Sequence, residues 1–294
     1  QSLEDIFEIQ DEVSQKVAVI ISPALKANEI KNLEVRKKVN LSAWDESLQA
    51  QAYFSKSNYT QGLDLQSKLE LGLKAIEHSE KAIYLDENLA EAHLVLSQSL
   101  LERIFEPSLD SERKENEKKL DLHAEKAYSL DPDNPDAIVI KCIKYYLKGE
   151  PERFLELIQK ALDVNPNHPR SLQMYSMSLM RQNKFDEAIN CVKQAIEIDP
   201  VGRIEWESWL IFCYISKKDL DNALISIDRS ITDSPHNRLF GFKAAVLALK
   251  GDINESKKWL EKYQNARPEV KNIADYRKVC LLYTSPSPRD LSTS

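Results

Sequence analysis

The chain has 294 residues, with 40 Lys and Arg against 47 Asp and Glu, and its formal net charge of −7 argues against a generic nucleic-acid binder. Glycine is scarce, 6 in all where average usage would give about 20, leaving little material for tight β-turns, phosphate-cradling loops or a dinucleotide-binding fingerprint. The surviving class is all-α, and the longest pure aliphatic run, Val17–Ile21, is far shorter than the ~20 residues of a membrane span.

In chain order, Ser2-Leu3-Glu4-Asp5 reads as a helix start, and Ile6, Ile9, Val13, Val17, Ile20 and Ala24 recur at helical spacing. This predicts an amphipathic helix that Pro23 kinks or breaks. From Lys26 to Lys38 five cations face Glu29 and Glu34, a local excess of +3 that reads as a solvated face or a linker. Residues 1–41 are therefore expected to be linker helices whose apolar face packs on the first helices of the repeat region. Ser42-Ala43-Trp44-Asp45 has the form of a capping box with Leu41 as staple, and Trp44, Leu48, Ala52 and Tyr53 would be the apolar side of the next helix. The polar stretches Ser55–Gln66 and Glu102–Glu117 read as lengthened helices or loops.

From there the chain repeats. Pro132, Pro166, Pro200, Pro235 and Pro268 are spaced by 34, 34, 35 and 33 residues. Five residues before each stand Ala127, Ala161, Ala195, Ser230 and Tyr263, and twelve before stand Leu120, Phe154, Ala188, Ala223 and Ser256. An earlier unit puts Ala75 and Ala82 in the same columns, with Glu87 in the proline's place. Small residues let neighbouring helices approach and proline ends the second helix of each pair, whereas Ser230 and Tyr263 should loosen the packing locally. On these columns residues 42–268 resemble tetratricopeptide repeats, and the resemblance implies an α-solenoid of about six helix pairs.

A narrower resemblance lies at the two ends. Leu3-Glu-Asp-Ile-Phe-Glu-Ile-Gln-Asp-Glu-Val13, followed by Ile20–Leu25 and then Leu41-Ser-Ala-Trp-Asp-Glu46, is similar to the junction between a TolB-like domain and the repeats of bacterial multidomain signalling proteins. Asn272-Ile-Ala-Asp-Tyr-Arg-Lys278 is similar to the start of that family's closing helix, so 269–279 is expected to begin a capping helix. The resemblance implies an upstream domain, either a class III adenylate or guanylate cyclase or a winged-helix DNA-binding domain; a free-standing scaffold is the third possibility. Cyclase metal-binding and purine-recognising residues have no counterpart positions here. Cys280-Leu-Leu-Tyr-Thr-Ser-Pro-Ser-Pro-Arg-Asp290 resembles a translated sequencing adapter, so 280–294 carries no expectation of fold or function.

No motif in the chain carries chemistry. His78, His93, His123, His168 and His236 form no HxxxH or HExxH pair, Cys142, Cys191, Cys213 and Cys280 form no CxxC, and there is no GxSxG elbow. No metal, cofactor or catalysis is expected, and the unpaired cysteines suggest the reducing cytoplasm. Trp44, Trp206, Trp209 and Trp259 read as fillers between helices.

The expected site is the groove formed by the first helix of each pair. By repeat phase it would be lined by Leu94, Gln98 and Leu101; by Val139, Ile143 and Tyr146; by Arg170, Gln173, Met177, Met180 and Arg181; and by Phe212 and Ile215. Such a lining suits an apolar or amphipathic protein segment, from a partner, from an upstream domain or from the chain's own N-terminal helix.

Overall fold

The computed structural model describes residues 40–268 apart from 61–62, 201 and 234–236. The expected linker helices of 1–39, the capping helix of 269–279 and the tail of 280–294 lie outside the described residues. Twelve α-helices and one short 3-10 turn follow in order, with no strand among the described residues. They form six antiparallel pairs: α1 (Leu41–Tyr59) with α2 (Leu65–Leu85), α3 (Ala90–Ile104) with α4 (Arg113–Leu130), α5 (Pro135–Leu147) with α6 (Pro151–Val164), α7 (Pro169–Arg181) with α8 (Phe185–Ile198), α9 (Arg203–Lys217) with α10 (Leu220–Asp233), and α11 (Asn237–Leu249) with α12 (Ile253–Ala266).

The repeat columns are buried as the spacing requires. Ala75, Ala82, Ala127, Ala161 and Ala195 are fully enclosed, and Leu120, Phe154, Ala188 and Ala223 lie beside them in the same layer. In α6 the buried residues Phe154, Ile158 and Ala161 fall at i, i+4 and i+7, one stripe of a helix that leaves Glu152, Glu156 and Gln159 to solvent. Three second helices end where Asp or Asn precedes proline: the amides of Asp131, Asn165 and Asp199 bond to Ala127, Ala161 and Ala195, and Pro132, Pro166 and Pro200 follow without a donor. Asn134 then caps α5 through its side-chain oxygen, with Pro135 in the first turn, and His168 and Pro169 do the same for α7.

The tight link inside the later pairs needs one residue with positive φ. Gly149 and Gly251 supply it without cost, whereas Asn183 and Lys218 adopt φ of 60° and 65° with a side chain present.

Several expectations need correction. Asn40, not Ser42, caps α1: its Oδ1 accepts from the amides of Ser42 and Ala43, and its Nδ2 donates to the Leu85 carbonyl at 3.1 Å. Asn in the cap position already satisfies those two amides, which places Ser42 inside the first turn. The buried side of α1 is Ala43, Glu46, Ser47, Ala50 and Phe54, while Leu48 is 47% exposed and Ala52 faces water. On that side Glu46 turns inward and meets His78 at 2.7 Å and Lys81 of α2. Ser230 does not loosen its repeat, since its buried hydroxyl donates to Glu207 at 2.8 Å. Tyr263 is likewise buried, at 4% exposure. The stretch Ser55–Gln66 is absorbed by lengthening α1 and α2, and Glu102–Glu117 by the 3-10 turn Pro107–Glu112 and the start of α4.

Candidate protein-binding groove

Each second helix packs against the first helix of the next pair, and successive first helices also pack against one another, α1 on α3 through to α9 on α11. The first helices thus form one continuous inner layer, the geometry of a superhelix whose concave wall they build. The array curls far enough for Arg267, just past α12, to come within 3.9 Å of Glu106, just past α3.

The structure divides the thirteen expected lining residues in two. Leu94, Gln98, Tyr146, Arg170, Met180, Phe212 and Ile215 are half-buried and Arg181 is exposed, so these eight present surface. Leu101, Val139, Ile143, Gln173 and Met177 are buried, and the four apolar ones belong to the main core. They are the floor of the inner layer: close packing of adjacent first helices covers residues that a single helix would leave open. Trp206 and Trp209 are 2% and 5% exposed, as fillers should be, and Trp209 meets Phe212 edge-on at 5.7 Å between ring centroids. A cleft of about 170 Å³ opens beside the groove between Tyr146, Glu150, Phe154, Leu155, Ser178 and Arg181. That volume suits one side chain rather than a drug-sized ligand, which needs ~300 Å³ or more.

Of the row of charges on this wall the sequence reading named Arg170, while Asp136, Glu205 and Arg238 escaped it. Asp136, Arg170, Glu205 and Arg238 stand in the first turns of α5, α7, α9 and α11, spaced 34, 35 and 33 residues apart, so the repeat period itself lays alternating charges side by side. Arg170 lies 3.7 Å from Glu205. His168 Nδ1 accepts from the Ser171 amide, which leaves the ring proton on Nε2, 3.4 Å from Asp136. Burial works to raise the pKa of Asp136, but the His168 hydrogen bond and the His168 and Arg170 charges outweigh it, and the net direction is down. Glu102, at the end of α3, reaches water but is hemmed in by the walls; that crowding, with the Glu205 charge, raises its pKa against the pull of Arg170, Arg238 and Lys68. The signal for these charges was present as period-34 spacing, but it becomes visible only when charges are aligned by repeat phase.

The histidines that looked solitary are paired across helices. His93 and His123 share a hydrogen bond between their Nδ1 atoms at 2.9 Å with rings stacked at 5.1 Å, and His93 Nε2 donates to the Glu87 carbonyl at 3.0 Å. No cluster of three or more potential metal ligands occurs among the described residues, and the described cysteines 142, 191 and 213 are free thiols. No helix among the described residues is long and apolar enough to cross a membrane.

Paired helices at a period of about 34 residues, with a small-residue column and a first-helix inner wall, define an α-solenoid of tetratricopeptide units. Comparison with known proteins agrees. A family profile described as "Anaphase-promoting complex, cyclosome, subunit 3" matches residues 114–195. The photosystem I assembly protein Ycf3 of Synechococcus sp. (strain CC9311) is 34% identical over 82 residues, 23% of this chain and 47% of that protein. The chain spans between 15% and 56% of the length of the curated relatives it matches. Among solved structures, a thermophilic tetratricopeptide protein of Thermus thermophilus superposes with a TM-score of 0.52 at 17% identity, over 67% of this chain and 99% of that one. The APC/C hetero-tetramer Cut9–Hcn1 superposes with a TM-score of 0.58 at 12% identity, over 94% of this chain and 52% of that one. At these identities the likeness is one of fold.

Proposed function

We propose that this array is a protein-interaction module that holds an apolar or amphipathic protein segment along its inner wall, with no catalysis by its own residues. The observation that carries the proposal is the line of half-buried Leu94, Tyr146, Met180, Phe212 and Ile215 on successive first helices, edged by Arg170 and Arg181. Thioether and ring side chains adapt to varied apolar shapes, and the arginines orient a partner by charge. The test is capture from a bacterial extract on immobilised wild-type chain and on a Met180→Glu/Phe212→Glu variant whose helicity is unchanged by circular dichroism. Proteins bound by the first and lost by the second support the groove; identical capture by both overturns it.

In this proposal the module is the regulatory part of a larger bacterial signalling protein of adenylate or guanylate cyclase type. Support comes from the resemblance of Leu3–Val13, Ile20–Leu25, Leu41–Glu46 and Asn272–Lys278 alone. A long read across the locus tests it: an adjoining cyclase reading frame supports the assignment, and a winged-helix frame or a nearby start codon overturns it.

A further inference from the structure

Taking the groove as the binding surface, we propose that its occupant in the isolated chain is the chain's own segment Ser2–Leu25, so that an external partner must displace it. Three features fit segment to groove. The first is length. First helices pack about 9–10 Å apart, so the wall from α3 to α9 spans roughly 30 Å, and the apolar stripe from Ile6 to Ile20, ahead of Pro23, would extend about 21 Å as a helix, enough to cross three of those four helices.

The second is chemistry along the stripe. Ile6, Ile9, Val13, Val17 and Ile20 offer aliphatic surface to Leu94, Tyr146, Met180 and Phe212, and Gln10, four residues after Ile6 and three before Val13, falls within the same stripe.

The third is tethering. Residues 26–39 connect the segment to the start of α1 and reach up to about 46 Å when extended. Tethering at that reach makes docking an intramolecular event, so even a weak contact is populated within one chain.

The experiment uses the full chain with the photoreactive residue p-benzoylphenylalanine in place of Val13, irradiated and mapped by peptide mass spectrometry. Intramolecular cross-links to α7 or α9, reduced about tenfold or more by Phe212→Glu, are expected. Cross-links confined to α4, α6, α8 or α10, cross-links between two copies, or none at all overturn the proposal. A second chain carries the same photoreactive residue in place of Phe212. If this probe joins to anything other than residues 2–25, the occupant is wrong while the groove stands as a binding surface.

Discussion

Glu207 of α9 offers the sharpest test of how the fifth helix pair is held together. Its carboxylate is buried and accepts from Arg203 Nε at 2.8 Å, from Arg229 Nη2 of α10 at 3.2 Å and from the Ser230 hydroxyl at 2.8 Å. Replacing it with alanine strands only the hydroxyl, because Arg203 and Arg229 are about half exposed and can turn to water. The orphaned Ser230 costs about 1–3 kcal/mol, and the one lost buried methylene about 0.8 kcal/mol. The two arginine contacts add about 0.5 kcal/mol apiece, the small amount expected of solvent-screened pairs. Glu207→Ala should therefore cost about 3–5 kcal/mol. Adding Ser230→Ala should return about 1–2 kcal/mol by removing the stranded hydroxyl, a coupling that a double-mutant cycle isolates. Because solenoid stability is a sum of local and nearest-neighbour terms, the loss should be greatest in native-state hydrogen exchange of α9 and α10 and weak in α3 and α4. A single-mutant cost below about 1 kcal/mol, or a coupling of zero, would refute the reasoning.

Gly202→Ala should destabilise by about 1–3 kcal/mol, since an added Cβ would lie 2.2 Å from Asp199 Oδ2 and 2.7 Å from Trp206 Nε1 and would break the hydrogen bond that joins them; thermal unfolding checks it. Lys218→Gly should stabilise by about 0.5–1 kcal/mol, because residue 218 holds φ at 65°, and a higher urea midpoint with an unchanged slope is expected. Burial, helped by the His93 and Lys119 charges, pushes the pKa of His123 down to about 4 from 6.5, so the folded pair stays neutral while unfolded histidine takes up a proton. Its contribution is intact above pH 6.5 and is lost as pH falls from 6.5 towards 4, at most about 3 kcal/mol and about 1–2 kcal/mol after allowing for partial exposure. The urea midpoint of wild type should drop between pH 7 and pH 4.5, and that of His123→Gln should drop less.

The sequence by itself determined the period, the pairing of helices and the core. A proline every 33–35 residues and a small residue five positions earlier are local requirements of a helix end and a close helix crossing, and local requirements leave fixed-spacing marks. It also gave Tyr146, Met180 and Phe212 one helical phase, and all three are half-buried against the main core. The tertiary structure decided what depends on neighbours far along the chain. Glu46 is buried where it meets His78, 32 residues away, and the Ser230 hydroxyl is buried where it meets Glu207, 23 residues away. Val139, Ile143 and Met177 became part of the main core instead of surface. Lateral packing between units sets exposure, and that packing is a property of the assembled layer, which the phase of one helix cannot report.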